Sequence, residues 1–448
     1  MPRKPTTPLP QPVFGEPVFS EGIPTPDPTV FKTAHPSDAQ LYKQIQNLLK
    51  KDVVSFKPAR GKPGDLFPLE SALGAHGPEV VKGIQAAGQI VFHSVGDTGA
   101  SNVHKYGNEI SVADQLSNDF HAAPAGSSRA AFLYHLGDVV YDFGESRYYY
   151  DQYYEPFRNY PAPIFAIPGN HDSFVVPNTP AKDFPLTIFA RNFCAPKPVI
   201  TQEAASLHRT ATTQPGVYFT LDAPFVRVIG LFSNALEDPG VISSEKGKWK
   251  TVPDLQLAFL TAQLQRIKTE NYAGAVLLAV HHPPFSYSPP SHSGGAGGNH
   301  SSSTTMLREI DAICKAQGVY PHAVLSGHAH NYQRYTRKVN FGGKNFTVPF
   351  IVCGDSGHNV NPLVQSRGGV TPPDPAVGAQ VNYLDPNPAV QAGGLVIEKF
   401  DHTNYGYLRI AVNKKQLQIE FHPVGKSVPK PPVDTVIVDL ASHTVVSH

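Results

Sequence analysis

This chain of 448 residues contains little cysteine, little charge and no long apolar run, and each of these shortages excludes a class of protein. Its three cysteines, Cys194, Cys314 and Cys353, lie far apart and form neither a zinc-binding nor a paired redox pattern. A small scaffold built on disulfides is therefore excluded, although one pair of cysteines can still form a bridge after export.

Charge and hydropathy limit the partners of the chain. Charged residues make up 16% of the sequence and the formal net charge is +1, which argues against broad electrostatic capture of nucleic acid or acidic membranes. No apolar run approaches the roughly 20 residues that are needed to span a bilayer. We expect no stable nucleic-acid partner and no membrane association, and the sequence leaves the oligomeric state unknown.

The sequence also leaves the compartment unknown. Its first residues, Met-Pro-Arg-Lys-Pro, lack the apolar core of a secretory signal. The protein would be periplasmic or secreted if a leader has been removed, and cytoplasmic otherwise.

Composition divides the chain into three segments. Residues 1–36 are rich in proline, have no helical or strand period and are predicted to form an extended N-terminal arm. Residues 37–88 are predicted to be a helical N-terminal extension, because Ser37 to Asp52 places its apolar residues on one helical face and Pro78 to Ala87 fits a second short helix. Residues 89–448 are predicted to form the main domain.

Five short polar clusters stand where buried strands are predicted to end. Each follows an apolar run of the length expected for a strand buried on both faces. The clusters are Gly96 to Gly99, Gly137 to Tyr141, Gly169 to Asp172, His281 to Pro284 and Gly327 to Arg334. Ligands bind outside the carboxyl ends of strands in open α/β sheets, so side chains distant in sequence can converge on one crevice. Seven residues of the clusters are candidate metal ligands, namely Asp97, Asp138, Tyr141, Asn170, His281, His328 and His330.

The donor types in these clusters predict a site for two metal ions. Carboxylate and amide oxygens combined with imidazoles suit iron, manganese or zinc. A carboxylate such as Asp138 can bridge two ions, and His328 and His330 alternate along an extended segment, so they can reach different ions. Two ions about 3.5 to 4 Å apart polarise a phosphoryl oxygen and lower the pKa of bound water. Phosphoester hydrolysis requires both effects.

Each cluster taken singly also fits a structural explanation. A Gly-Asp pair after a strand is usually a turn, and adjacent histidines such as His281 and His282 are often surface residues. Tyr141 stands near the tyrosine-rich stretch Tyr148 to Tyr154, which is more typical of packing or of a rim surface than of chemistry. The joint occurrence of five clusters, each after a predicted strand, favours the metal site.

Patterns outside the clusters predict how the sheets continue. Gly216 to Leu221 and Phe225 to Phe232 are predicted to be a strand pair, and residues 254–269 and 304–317 are predicted helices. Ser286 to Ser303 is rich in Gly, Pro and Ser, which is typical of a loop over the site or of an ordinary insertion. The predicted strands of a second sheet layer are Phe346 to Cys353, Gly394 to Phe400, Tyr405 to Val412 and Gln416 to His422.

The motif order resembles that of the calcineurin-like metallophosphoesterases and, within them, of the purple acid phosphatases. Many relatives carry Asp-X-His at the first motif, whereas this chain has Asp97-Thr98-Gly99 and places Tyr141 at the end of the second, as the purple enzymes do. The resemblance covers Gln89 to Arg334 by motif and the later strands more weakly. It does not cover the first 80 or so residues, where plant relatives carry a separate β-sandwich.

This resemblance implies an α/β (α+β) fold, a two-layered β-sandwich of mixed sheets flanked by helices, which is the metallophosphoesterase fold. Residues 89–448 would then be the catalytic domain. The resemblance also implies that Asp97, Asp138, Tyr141 and His330 hold Fe(III), with a charge-transfer colour from the tyrosinate. Asp138 would bridge to a second divalent metal, Fe, Zn or Mn, and the other ligands of that metal would be Asn170, His281 and His328.

Three further histidines receive catalytic roles from the same resemblance. His171 would face the substrate and act on the leaving group or the phosphate. His281 directly follows the strand and is taken as the ligand, which leaves His282 as a supporting or substrate-facing group. His300 lies in the Gly-rich loop, about where relatives place a phosphate-contacting histidine. Arg334 would either contact phosphate or pair with a nearby carboxylate.

The expected function is hydrolysis of a small phosphoester substrate, a phosphate monoester, by a hydroxide bound at the metal pair. A first alternative keeps the metals and changes the substrate to a phosphodiester, such as a cyclic nucleotide, because the motifs do not define the pocket walls. A second alternative is a catalytically silent binding protein that retains the fold.

Overall fold

Two β-sheets face each other in the computed structural model of the chain. The residues that the structure describes are 16–20, 40–42, 53–124, 129–175, 184–237, 239–287, 302–341, 343–363, 373–380, 394–425 and 431–447. The strands in these residues are β1 (Phe67–Pro68), β2 (Gln89–Val95), β3 (Ala130–His135), β4 (Ile164–Ala166), β5 (Phe219–Ala223), β6 (Val226–Leu231), β7 (Ala275–Val280), β8 (Ala323–Ser326), β9 (Tyr332–Phe341), β10 (Lys344–Cys353), β11 (Leu395–Asp401), β12 (Tyr405–Asn413), β13 (Gln416–Val424), β14 (Asp434–Asp439) and β15 (Thr444–Ser447).

Helices connect the strands and cover the outer faces of the sheets. The α-helices are α1 (Leu69–Ala72), α2 (Gly77–Ala87), α3 (Val103–Ala122), α4 (Ser146–Tyr149), α5 (Thr187–Phe193), α6 (Leu255–Thr269) and α7 (Thr304–Gln317). A π-helical turn, Tyr150–Tyr154, continues α4, and three short 3₁₀ turns are Gly74–His76, His171–Ser173 and Gln202–Ala204.

Both sheets are mixed. The first has the order β1-β5-β6-β7-β8-β10-β9-β11, and β6, β7, β8 and β10 are parallel neighbours within it. The second has the order β15-β14-β13-β12-β2-β3-β4, in which β2, β3 and β4 are parallel and β12 to β15 form an antiparallel run. Each sheet therefore contributes a group of parallel strands whose carboxyl ends lie at one edge.

The central strands are buried on both faces, which explains their continuous apolar sequences. Along β7, Leu277 points into the apolar layer that also contains Phe92, Phe132 and Leu408 of the other sheet. Its neighbour Leu278 points to the opposite face, where residues of α6 and α7 pack. The alternation fixes the register of the strand, because a shift by one residue would exchange the two faces.

Most of the predicted elements are confirmed. The five apolar runs are β2, β3, β4, β7 and β8, the strand pair is β5 and β6, and the three helices predicted over residues 78–87, 254–269 and 304–317 are α2, α6 and α7. Gly318 follows α7 with φ of 69°, a left-handed conformation that ends the helix. The tyrosine-rich stretch is packing, since Tyr148, Tyr149, Tyr153 and Tyr154 belong to the core.

One part of the predicted layering is wrong. The four late strands do not form one layer, because β10 and β11 extend the first sheet whereas β12 and β13 extend the second. Helix α3 and strands β9, β14 and β15 were not expected. Of the predicted arm, the structure describes residues 16–20, and of the helix predicted over Ser37 to Asp52 it describes 40–42, which are helical. Most of the Gly-rich loop lies outside the described residues.

The described part of the N-terminal extension packs on the main domain. Val53, Val54 and Phe56 are buried in the core that α6 and α7 help to form. The Arg60 guanidinium donates hydrogen bonds to four backbone carbonyls of residues 194–214. Strand β1 pairs with β5 at the edge of the first sheet. In the part of the chain that the structure describes, no helix combines the length and the apolar character that a membrane crossing requires.

Candidate metal centre

Five parallel strands place the seven candidate ligands at one edge of the two sheets. The polar clusters follow the last residues of β2, β3, β4, β7 and β8, so each cluster leaves a buried strand at its carboxyl end. Six of the candidate ligands are buried, and His330 is half-buried. Burial of this many polar groups requires that they pair with one another or bind an ion.

The backbone at three candidate ligands adopts an uncommon conformation. Asp97, Asp138 and His328 have φ angles of 58°, 55° and 67°, in the left-handed region. Each such conformation costs about 1–3 kcal/mol and persists only where the surrounding structure holds it. Backbone strain of this kind is concentrated at functional sites. Gly169 permits the close approach of two motifs here, because a Cβ at this position would overlap the Asp138 carboxylate.

Asp97, Tyr141 and His330 form a first group of donor atoms. The Tyr141 hydroxyl donates to Asp97 Oδ1 at 3.0 Å. His330 Nε2 lies 3.2 Å from the Tyr141 oxygen and 3.4 Å from Asp97 Oδ1. Oxygen and nitrogen atoms from three separate motifs therefore meet at one point.

Asp138, Asn170, His281 and His328 form a second group. His281 Nε2 lies 3.0 Å from Asn170 Oδ1 and 3.4 Å from Asp138 Oδ2. One ligand atom each from Asp138, His281 and His328 lies within 4.8 Å of the others, a spacing that can hold a metal ion. These atoms are of the types that bind iron, manganese and zinc, so the donor set fits such an ion.

Hydrogen bonds to the backbone determine which ring nitrogen each histidine presents. His281 Nδ1 lies 2.8 Å from the Leu136 carbonyl, so this nitrogen carries the proton and Nε2 faces the second group. His328 Nε2 lies 2.7 Å from the Glu237 carbonyl, which leaves Nδ1 for the centre. Partners of this kind orient metal-binding imidazoles in proteins generally.

The carboxylates dominate the electrostatics of the centre. Burial opposes protonation of His281, but the negative charges of Asp138 and Asp97 outweigh this effect and raise the pKa of its imidazole to about 9. Burial raises the pKa of the Tyr141 phenol well above its usual range, and the charges of Asp138 and Asp97 raise it further. Asp138 acts on residues of both groups, which is the arrangement expected of a bridging carboxylate.

His171 lies between aromatic rings beside the two groups. Its ring centroid is 4.2 Å from that of Tyr42 and 4.1 Å from that of Tyr141. The other face of the Tyr141 ring stacks on His358 at 3.5 Å, so four rings form one column. The backbone N–H of His171 donates to Asp138 Oδ1, and its Nδ1 lies 2.8 Å from the Asp142 carbonyl.

His282, His300 and Arg334 differ in their relation to the centre. The His282 ring packs against that of His328, with 4.0 Å between their centroids. His282 is fully buried, and its ring nitrogens contact Ser233 Oγ and the Leu236 carbonyl at 2.7 Å each. This environment supports the supporting role of His282 rather than the substrate-facing one. His300 lies outside the described residues. Arg334 pairs with Asp434 at 2.7 Å in a buried ion pair, which is the structural alternative for this arginine.

Several residues near the centre were not singled out from the sequence. The Asp172 carboxylate accepts hydrogen bonds from the backbone N–H groups of Gly169, Val139 and Val140, and so ties the second motif to the third. Asp172 lies in the cluster Gly169 to Asp172, and this position could have identified it from the sequence. Tyr42, Glu237 and His358 had no such signal, because they lie outside all five clusters.

The chain matches the profile of one protein family, and two solved structures resemble it at low sequence identity. The profile of the family described as calcineurin-like phosphoesterase matches residues 92–332. The solved structure of purple acid phosphatase PPD1 from yellow lupin (Lupinus luteus) seeds is similar at 14% identity with a TM-score of 0.49, over 78% of this chain and 54% of the lupin chain. The structure of PhoD is similar at 13% identity with a TM-score of 0.45, over 80% of this chain and 72% of that chain. This chain thus spans about half the length of the lupin protein. No curated protein sequence matches it.

Proposed function

The chain belongs to the calcineurin-like phosphoesterase family, and from this premise we propose that it is a metal-dependent hydrolase of phosphate monoesters with a binuclear centre. The proposal is supported above all by the convergence of seven donor residues in two adjacent groups. Asp97, Tyr141 and His330 form one group, and Asp138 lies in the other but acts electrostatically on Tyr141 as well.

We assign the two groups to two different ions. Fe(III) would be held by Asp97, Tyr141 and His330 together with Asp138, and a second divalent ion, Fe, Zn or Mn, by Asn170, His281 and His328, with Asp138 shared. When bound, such a pair polarises a phosphoryl oxygen and lowers the pKa of water. The chain supplies rigidity, because six of the seven ligands are buried and all belong to clusters that follow strands of the sandwich.

We assign proton transfer to His171. Its Nδ1 is engaged with the Asp142 carbonyl, so Nε2 is the atom that would protonate the leaving-group oxygen as the P–O bond breaks. The rings of Tyr42 and Tyr141 on either side limit its rotation. A fixed orientation favours proton transfer, because the donor must lie within hydrogen-bond reach of the reacting oxygen.

Metal analysis and visible absorption of active protein test the assignment of the ions. We expect iron and a second divalent ion, together with a broad visible band. Tyr141→Phe should abolish that band, whereas Tyr153→Phe, which changes a buried core tyrosine, should leave it intact. An active protein that is colourless, free of iron and loaded only with zinc would contradict the tyrosinate assignment.

A chromogenic monoester and a chromogenic diester, compared at equal concentration across pH, test the substrate class. Faster hydrolysis of the monoester is expected. Faster hydrolysis of the diester would favour the phosphodiesterase alternative on the same centre. If metal-loaded protein binds phosphate but hydrolyses no ester in a broad panel, the catalytically silent alternative is correct.

A further inference from the structure

Tyr42, in the N-terminal extension, contacts two residues of the candidate metal centre. Its ring stacks on His171 with a centroid distance of 4.2 Å and an interplanar angle of 22°. Its hydroxyl oxygen accepts a hydrogen bond from Asn170 Nδ2 at 2.7 Å. Tyr42 is buried, with 5% of its surface exposed, and it precedes the part of the chain that the family profile covers.

The contact with Asn170 bears on how this amide can bind an ion. An amide presents an oxygen and an NH₂ group of nearly the same shape, and only the oxygen is an acceptor that can coordinate a cation. Asn170 Nδ2 donates to Tyr42 and lies 3.3 Å from Glu237 Oε2, whereas Oδ1 lies 3.0 Å from His281 Nε2. Two acceptors lie beside the NH₂ group of the amide, so its oxygen points the other way, towards His281 and the second group of ligands.

The contact with His171 completes the aromatic column. Tyr42 covers the face of the imidazole that Tyr141 does not, and Tyr42 itself packs edge-on against Phe143 and Phe174. The position of His171 thus depends on a residue 129 positions earlier in the chain.

We propose that Tyr42 is a positioning residue of the metal centre: its hydroxyl orients the Asn170 amide, and its ring holds His171 against Tyr141. The inference rests on the proposed binuclear function. Outer-shell partners of metal ligands typically change metal affinity by about 10- to 100-fold when they are removed.

Tyr42→Phe isolates the hydroxyl, because it keeps the ring. The full chain loaded with iron is titrated with Zn²⁺ in competition with a chromogenic chelator. We expect the variant to bind Zn²⁺ about 10- to 100-fold more weakly than the wild type. The visible band should not change, because the Tyr42 hydroxyl bonds to Asn170, which we assign to the second ion. At saturating Zn²⁺ the variant should regain the wild-type kcat, since His171 remains stacked.

Tyr42→Leu removes the ring as well as the hydroxyl, so its comparison with Tyr42→Phe gives the effect of the ring. It should weaken Zn²⁺ binding as Tyr42→Phe does. At saturating Zn²⁺, kcat should stay about tenfold or more below that of the wild type, which is part of the roughly 100- to 10,000-fold that an acid–base residue contributes. KM should change less than kcat, because the change affects proton transfer rather than the ions that bind phosphate.

Tyr405→Phe is the matched control. Tyr405 also accepts a hydrogen bond from an asparagine amide, that of Asn108 at 2.8 Å, between α3 and β12. Equal weakening of Zn²⁺ binding in Tyr405→Phe and Tyr42→Phe would attribute the loss to general destabilisation and overturn the proposal. Wild-type Zn²⁺ affinity in Tyr42→Phe would overturn this proposal alone. A wild-type chain loaded with iron that binds no second Zn²⁺, Mn²⁺ or Fe²⁺ would overturn the binuclear function as well.

Discussion

Buried histidines lie after the carboxyl ends of β7 and β8 and before the amino end of β8, and their surroundings shift the pKa values in opposite directions. At the carboxyl ends, the pKa of His281 is raised to about 9 although the ring is fully buried. At the other ends, His322 stacks on His443 with a centroid distance of 4.1 Å, and burial lowers their pKa values to about 3 and about 4. Burial therefore does not explain why the pKa values differ between the two ends.

Carboxylates distinguish the two ends. Asp138 and Asp97 face His281, whereas the cavity of about 570 Å³ beside His322 and His443 is lined by three lysines and, among its described lining residues, by no carboxylate. At the carboxyl end, the charges of Asp138 and Asp97 outweigh the effect of burial, so His281 attracts a positive charge, which is a proton or a metal ion. At the other end, burial keeps His322 and His443 neutral, and they serve as packing and hydrogen-bonding groups. Clustering of histidines alone does not identify a metal site.

Of the changes predicted here, Asp138→Asn should have the largest effect on metal content and hydrolysis. It keeps the shape of the side chain but removes the charge that we assign to both ions, so we expect both ions to be lost. Hydrolysis should fall by more than the roughly 100-fold that marks an outer-shell change. Atomic spectroscopy and the initial rate measure the two effects. Asp439→Asn, the same change in β14, should alter neither, and full metal content in Asp138→Asn would contradict the bridging role.

His322→Ala should lower the stability of the chain without changing its metal content. His322 Nδ1 accepts a hydrogen bond from the backbone N–H of Val276 at 3.0 Å, so the change leaves a buried donor without its acceptor. We expect the free energy of unfolding to fall by about 1–3 kcal/mol, while metal content stays that of the wild type. Urea unfolding and metal analysis measure these quantities. His121→Ala, at an exposed position, is the control, and loss of metal from His322→Ala would break the distinction between the two ends.

The sequence predicted the centre better than its surroundings. The candidate ligands follow apolar strands in a recognisable order, so the local pattern was enough to predict that they converge. Tyr42 reaches Asn170 across 128 positions, and no local pattern encodes that contact. Strand β9 was not predicted, because it contains Arg337, a charged residue that interrupts the apolar pattern although it is buried. Arg337 pairs with Asp311 at 2.7 Å. Helix α3 was hidden because its buried face includes Glu109 and Ser117 among apolar residues.

A more gradual effect is a dependence of the free energy of unfolding on pH that arises from His322 and His443. The pKa values of His322 and His443 lie below the ordinary value of 6.5 in the folded chain, so between pH 6.5 and about 4 the unfolded chain binds protons that the folded chain does not. The free energy of unfolding should therefore fall as the pH falls through this window, by at most about 1.4 kcal/mol per pH unit for each histidine.

His322→Gln tests this dependence, because an amide oxygen can still accept from Val276 but does not titrate. Urea unfolding of the wild type and the variant at a series of pH values gives the difference between their free energies of unfolding, in which contributions from the metal ligands and surface carboxylates cancel. That difference should move in favour of the variant as the pH falls from 6.5 to about 4 and should be constant above pH 7. Parallel curves over the whole range would mean that His322 titrates normally in the fold, and the contrast with His281 would then rest on geometry alone.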